Sequence, residues 1–179
     1  PQESGAGGVA VMQKEESYWE HISIRRVSAG DEDFLFQLMN APAILASLHE
    51  VPTQKRDWAE AISAWQEDAD EAGYLVLRDN VPIGWFAVNG LLAGDGTAFL
   101  KMAVLLPAWQ NRGIGRSVLG YILDELRKQG VKEAALYTDQ DNIRAQSCYT
   151  HCGFRIAETL TERMSDEAVV PRYKMVCSL

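Results

Sequence analysis

Residues 103–123 read AVLLPAWQNRGIGRSVLGYIL, and the order of residue types in this stretch decides the architecture on either side of it. Its first residues are apolar and strand-forming, Pro107 imposes a bend, QNRGIG follows, and a helical pattern begins. From Arg116 to Gln129 the side chains of Val118, Leu119, Ile122, Leu123 and Leu126 recur at helical spacing, and Gly130 closes the run. A strand leading through a glycine bend into a helix is a design for holding an anion. The N–H groups that open the helix lack intrahelical partners, Gly113 and Gly115 let a ligand approach without Cβ hindrance, and the helix dipole favours negative charge. A pyrophosphate suits such a turn. Neither common nucleotide motif fits: a dinucleotide fingerprint needs a small residue where Val118 stands, and no GxxxxGK[ST] string occurs.

Working toward the C-terminus, Glu133 to Thr138 reads as a strand, Asn142 to His151 as a helix, and Phe154 to Glu162 and Val169 to Cys177 as two further strands. Toward the N-terminus, Thr97 to Leu106 forms a strand after the Gly94-Asp95-Gly96 turn, and Tyr74 to Leu77 with Ile83 to Val88 forms a hairpin around Asp79-Asn80. Thr53 opens an amphipathic helix to about Asp70, with Trp58, Ile62 and Trp65 on a stripe of core spacing. Asp31 caps a helix over DEDFLFQLMN that Pro42 ends, and Ile22 starts the first strand. The fold class is α+β: a mixed central sheet of about seven strands with helices on both faces. Residues 1–19, glycine-rich and aperiodic, read as a flexible tail or vector remnant, and 20–179 as a single domain.

Composition narrows the function classes. With 47% hydrophobic and 23% charged residues the chain is globular, and its net charge of −8 disfavours nucleic acid and anionic membranes as partners. No apolar run reaches the ~18 residues that a membrane span requires. Three cysteines without a dense spacing pattern fit a reducing, cytoplasmic setting, and Cys148 and Cys152 read as structural thiols rather than metal ligands, so no metal is expected.

The loop QNRGIG, between a strand and a helix, resembles the acyl-CoA pyrophosphate loop of the GNAT superfamily of N-acyltransferases. A second motif supports the resemblance: DNIRAQSCYTHCGF places Asn142, Ala145, Tyr149, Gly153 and Phe154 at that family's spacings, one strand further on. The resemblance implies that Val104, Leu105 and Leu106 offer backbone groups to a pantetheine arm. It also implies that Gln110, Asn111, Arg112, Gly113, Ile114, Gly115, Arg116 and Ser117 wrap the pyrophosphate of acetyl-CoA, and that Asn142 and Ala145 line the arm. Tyr149 would protonate the departing thiolate, and a backbone N–H near Leu105 would stabilise the oxyanion.

The acceptor implied is an amine, cationic by the charge balance. Lys101 stands on the central strand where some relatives carry a glutamate, so the base is left among Asp139, His49 and Glu50. Trp109 either covers the cofactor or anchors the loop. Two alternatives remain: a catalytically silent acyl-CoA-binding module of the same fold, and a dinucleotide-dependent reductase using the same glycines. The sequence leaves the oligomeric state open, a homodimer included.

Overall fold

The computed structural model describes residues 10–11 and 21–179; the rest of the expected tail lies outside the described residues. The chain runs β1 (Ala10–Val11), β2 (Ile22–Arg26), α1 (Glu32–Met39), α2 (Pro42–Leu48), α3 (Lys55–Glu67), β3 (Ala72–Arg78) and β4 (Val81–Asn89). It continues with β5 (Thr97–Leu105), a 3₁₀ turn (Pro107–Trp109), α4 (Ile114–Lys128), β6 (Glu133–Asp139), α5 (Ile143–His151), β7 (Arg155–Arg163) and β8 (Val169–Ser178). One sheet holds all the described strands in the order β1-β2-β3-β4-β5-β6-β8-β7. Seven are substantial, as expected; the eighth, two-residue β1 pairs antiparallel with β2.

Helices cover both faces because the middle strands are apolar on both sides. Along β3, Tyr74 and Val76 join one core with β2 residues Ile22 and Ile24 and α4 residues Val118, Leu119, Ile122 and Leu126. Leu75 and Leu77 point the other way, into a core built by Leu35, Leu38, Ile44, Ile62 and Trp85. Trp58 and Trp65 each lie 5.6 Å from the Trp85 ring, so the tryptophan stripe is packing, as its spacing suggested.

The expected elements shift in two informative places. Pro42 does not merely end a helix; it opens α2 from the first turn, where its missing N–H has no partner to lose. Asp31 precedes α1 without a side-chain cap, because its carboxylate is taken by Arg25 at 2.7 and 2.8 Å and by the Ser28 N–H at 2.8 Å. The Asp79-Asn80 turn is as read: both residues have positive φ, 47° and 65°, which suits the twist of a two-residue hairpin.

The feature that positions the site is a parting of strands. Among the described residues β5 and β6 are the one parallel pair, and they are joined only over Thr97–Phe99 with Glu133–Ala135. Beyond that, β5 stays with β4 as far as Leu105, while β6 stays with β8 as far as Asp139. A gap therefore opens in the middle of the sheet, walled by the C-terminal ends of two strands.

Candidate active site

The glycine loop leaves β5 at this gap. Asn111 and Gly113 have φ of 60° and 80°, and these two left-handed residues swing the chain from the strand into α4. The first helical bond runs from the Ser117 N–H to the Gly113 carbonyl at 3.2 Å, so the amides of Ile114, Gly115 and Arg116 face off the helix end. A methyl built on Gly115 meets only Leu105 Cδ1, at 3.7 Å, an ordinary contact. The fold's own packing thus does not demand glycine there, and the bare backbone beside the free amides fits a pyrophosphate.

Trp109 anchors this loop. Its ring carries the Arg78 and Arg112 guanidinium carbons, each 5.0 Å from the centroid, which fixes Arg112 beside the exposed amides. Gln110 sends its side-chain N–H to the Leu105 carbonyl at 2.9 Å and receives Arg144 of α5 at 3.2 Å, bridging the loop to both walls.

The structure sorts the three strand-end residues. The Leu106 N–H donates to Ile83 at 2.8 Å, and Gly84 lies opposite Leu105. By the alternation of an antiparallel ladder, the backbone groups of Val104 and Leu106 turn toward β4, and those of Leu105 turn into the gap. Leu105 is therefore the strand-end residue whose amide is aimed at the site.

α5 begins at the end of β6. The Asn142 side chain caps the helix by accepting the Ala145 N–H at 3.1 Å, a bond that uses its carbonyl oxygen and not its N–H₂. Gln146, which the sequence reading did not single out, donates to the Asp139 and Gln140 carbonyls at 3.0 Å each and ties the helix to the strand end. Tyr149 packs at the margin of the α4-side core with its ring 6.0 Å from Phe154. Burial, then the neighbouring Cys148, push its phenol up to about 12 against a smaller pull from Arg172, so the hydroxyl keeps its proton at neutral pH. Cys152 points its thiol at the Arg116 carbonyl, 3.5 Å away, and all three cysteines are free. Among the described residues no metal-binding group of His, Cys, Asp and Glu assembles.

Two of the three base candidates meet. His49 Nε2 lies 2.8 Å from Asp139 Oδ2, and His49 Nδ1 lies 3.3 Å from Asp166 Oδ2. Arg172 completes the cluster: its Nε is 3.1 Å from Asp139 Oδ1 and its Nη1 2.7 Å from Glu162. Glu50 is held instead by its backbone N–H on the Leu45 carbonyl, at 3.0 Å. The parts played by Arg172, Asp166 and Glu162 were invisible in the sequence, since only the β6–β8 register brings Arg172 opposite Asp139. Lys101 is elsewhere, paired with Glu71 at 2.6 Å and over the Trp65 ring.

Comparison with known proteins identifies the family. The Acetyltransferase (GNAT) family matches residues 34–154, and the chain belongs to that family. A mycothiol acetyltransferase from Streptomyces avermitilis is 30% identical over 142 residues, covering 77% of this chain and 44% of that protein. A [ribosomal protein bS18]-alanine N-acetyltransferase from Escherichia coli is 33% identical over 81 residues, covering 45% of this chain and 53% of that protein. The chain thus spans less than half the length of the mycothiol acetyltransferase. Among solved structures, spermidine N-acetyltransferase from Vibrio cholerae, in complex with CoA and spermine, superposes with a TM-score of 0.80 at 20% identity. That match covers 88% of this chain and 95% of the other, and it establishes a shared fold.

Proposed function

We propose that the chain is an N-acetyltransferase that moves the acetyl group of acetyl-CoA directly to an amine in a ternary complex. The observation that carries this reading is the parting of β5 from β6: the Leu105 amide turns into the gap, the free amides open α4 just beyond the end of β5, and α5, which carries the protonated Tyr149, starts at the end of β6. The α4 amides, with Arg112 and Arg116, hold the pyrophosphate, and Asn142 and Ala145 line the arm. The Leu105 N–H stabilises charge growing on the thioester oxygen, and the Tyr149 hydroxyl protonates the leaving sulfur. No covalent enzyme intermediate is needed, so the cysteines stay out of the chemistry. The acceptor class is a cationic primary amine, which the net charge of −8 attracts. We place this reaction in the cytoplasm, where the three free thiols persist.

A second reading, an acyl-CoA-binding module without turnover, draws on β5, whose sequence TAFLKMAVL carries Lys101 and no carboxylate. Thiol release from acetyl-CoA over a panel of polyamines, aminoglycosides and amino-terminal peptides separates the two. Turnover with at least one amine supports the enzyme. Tight acetyl-CoA binding without acylation of any of them supports the module.

A further inference from the structure

An incoming ammonium must lose a proton before it can attack, and the group that takes it has to stand on the open side of the gap. Along β6, Leu136 enters the core under α4, so the alternation of the strand sends Tyr137 and Asp139 to the opposite face. Tyr137 stacks there on Phe99, with ring centroids 6.3 Å apart. His49 reaches the same face from the end of α2. Tyr149 and the α4 amides occupy one side of the parted strands, and the His49 cluster occupies the other.

His49 is held by more than its side chain. Its φ of 55° is left-handed, a conformation that residues other than glycine take only when the surroundings over-determine it. Its carbonyl accepts the Asp166 N–H at 3.1 Å, so the backbone is clasped to the β7–β8 turn independently of the imidazole. The two ring nitrogens are held unequally. Nε2 bonds Asp139 at 2.8 Å, and the Asp139 side chain, 13% exposed, is itself fixed by Arg172. Nδ1 is 3.3 Å from Asp166, whose side chain is 34% exposed and freer to yield.

We propose that His49 is the proton acceptor for the amine, with Asp139 as the positioning residue that holds Nε2–H and leaves Nδ1 as the basic atom. The proposal rests on the acetyl-transfer reading. The ammonium gives one proton to Nδ1 of the neutral imidazole, and the freed nitrogen lone pair attacks the acetyl carbon. The carbon–sulfur bond then breaks, the sulfur takes the Tyr149 proton, and the second proton on the newly bonded nitrogen returns to the Tyr149 oxygen. The imidazolium, paired with Asp139 and Asp166, releases its proton to solvent.

The groups facing His49 are Asp139 from β6 and Asp166 from the β7–β8 turn, with Arg172 of β8 and Glu162 of β7 behind Asp139. Burial alone would lower the imidazole's proton affinity, but the bonds and charges of Asp139 and then Asp166 raise it above the ordinary value. The base is the neutral form, so activity rises with pH through this raised value. Removing one carboxylate moves the rise to lower pH.

The left-handed backbone supplies a clean variant, because His49→Gly removes the imidazole at a position glycine prefers. His49→Asn, which also tolerates that conformation, is its companion. The experiment measures acetyl transfer across pH, together with acetyl-CoA affinity by calorimetry, for the wild type, both variants and Asp166→Asn. Expected are a loss of roughly a hundredfold or more in kcat for both His49 variants, unchanged acetyl-CoA affinity, and recovery of His49→Gly by added imidazole. Asp166→Asn should shift the pH limb downward. A His49→Gly protein with the wild-type rate and pH profile overturns the proposal. A wild-type chain that binds acetyl-CoA and acylates no amine overturns the transfer reading, and the role of His49 with it.

Discussion

Tyr149 is the residue on whose setting the proposed proton transfer depends most. The ring is packing, in edge contact with Phe154, while burial keeps the hydroxyl protonated far above neutral pH. Tyr149→Phe keeps the ring and deletes the proton. We expect kcat to fall by roughly tenfold to a hundredfold while acetyl-CoA affinity stays within about twofold, measured by thiol release and calorimetry. Full activity in the variant would remove Tyr149 from the chemistry. With the phenol near 12, any loss of rate in the wild type below about pH 10 has another source. Gly115 gives the complementary test. Alanine there meets only Leu105 Cδ1 at 3.7 Å and improves helix propensity. Gly115→Ala should therefore gain about 0.5–1 kcal/mol of stability in urea unfolding while binding acetyl-CoA several-fold more weakly, and unchanged affinity would show that the ligand does not approach this backbone. Both residues stood out as candidates in the sequence because local spacing carries them: glycines in a strand-to-helix turn, and a tyrosine at fixed distance from Asn142. The His49 cluster was legible only as separate candidates. Its members are brought together by φ at His49 and by the pairing of β6 with β8, neither of which leaves a periodic trace.

At the scale of elements, the site depends on where two strands stop pairing. A bulge at Lys101 shifts the β4–β5 register between Ala87 and Val88, and the parallel contact with β6 ends at Phe99 and Ala135. The sequence showed two strands and a crossover helix, but the length of a pairing is a property of twist and register. Helix boundaries erred for a related reason: Pro42 reads equally well as a stop or a first turn, and the packing of Ile44 beneath α2 decides between them. The close approach of β4 to the end of β5 is testable. A methyl on Gly84 would lie 2.5 Å from Leu105 Cδ2 and 2.7 Å from the Val104 carbonyl. The leucine can rotate away, but the carbonyl is backbone, so the strands must separate. Gly84→Ala should cost about 2 kcal/mol in urea unfolding and displace the Leu105 amide. Acetyl transfer at a temperature where the variant is still folded should therefore fall as well; a stable variant with full activity would mean that the strands tolerate the methyl in place.

At the scale of the whole molecule, the net charge of −8 is compatible with the polyanionic ligand proposed above, because the proposed site relies on backbone amides and local arginines rather than on net charge. The surplus acid is distributed elsewhere, and part of it is structural. Arg25 and Asp31 fasten the end of β2 to the start of α1, with Asp31 only 7% exposed. Burial works against ionising this carboxyl, but the Arg25 bonds, the Ser28 N–H and the Arg25 charge together hold it below its ordinary range. A carboxylate with a depressed folded pKa contributes stability that is fully present above its unfolded pKa and is lost as pH falls through the folded value. Asp31→Asn leaves Arg25 half-buried without its ion and should lower stability by about 2 kcal/mol at pH 7. As pH falls through the carboxylate range the wild-type contribution disappears, so the two proteins should converge. Urea midpoints at several pH values between 7 and 3 follow this directly, and a gap that stays constant over that range would show that the pair's charge contributes nothing to holding β2 against α1.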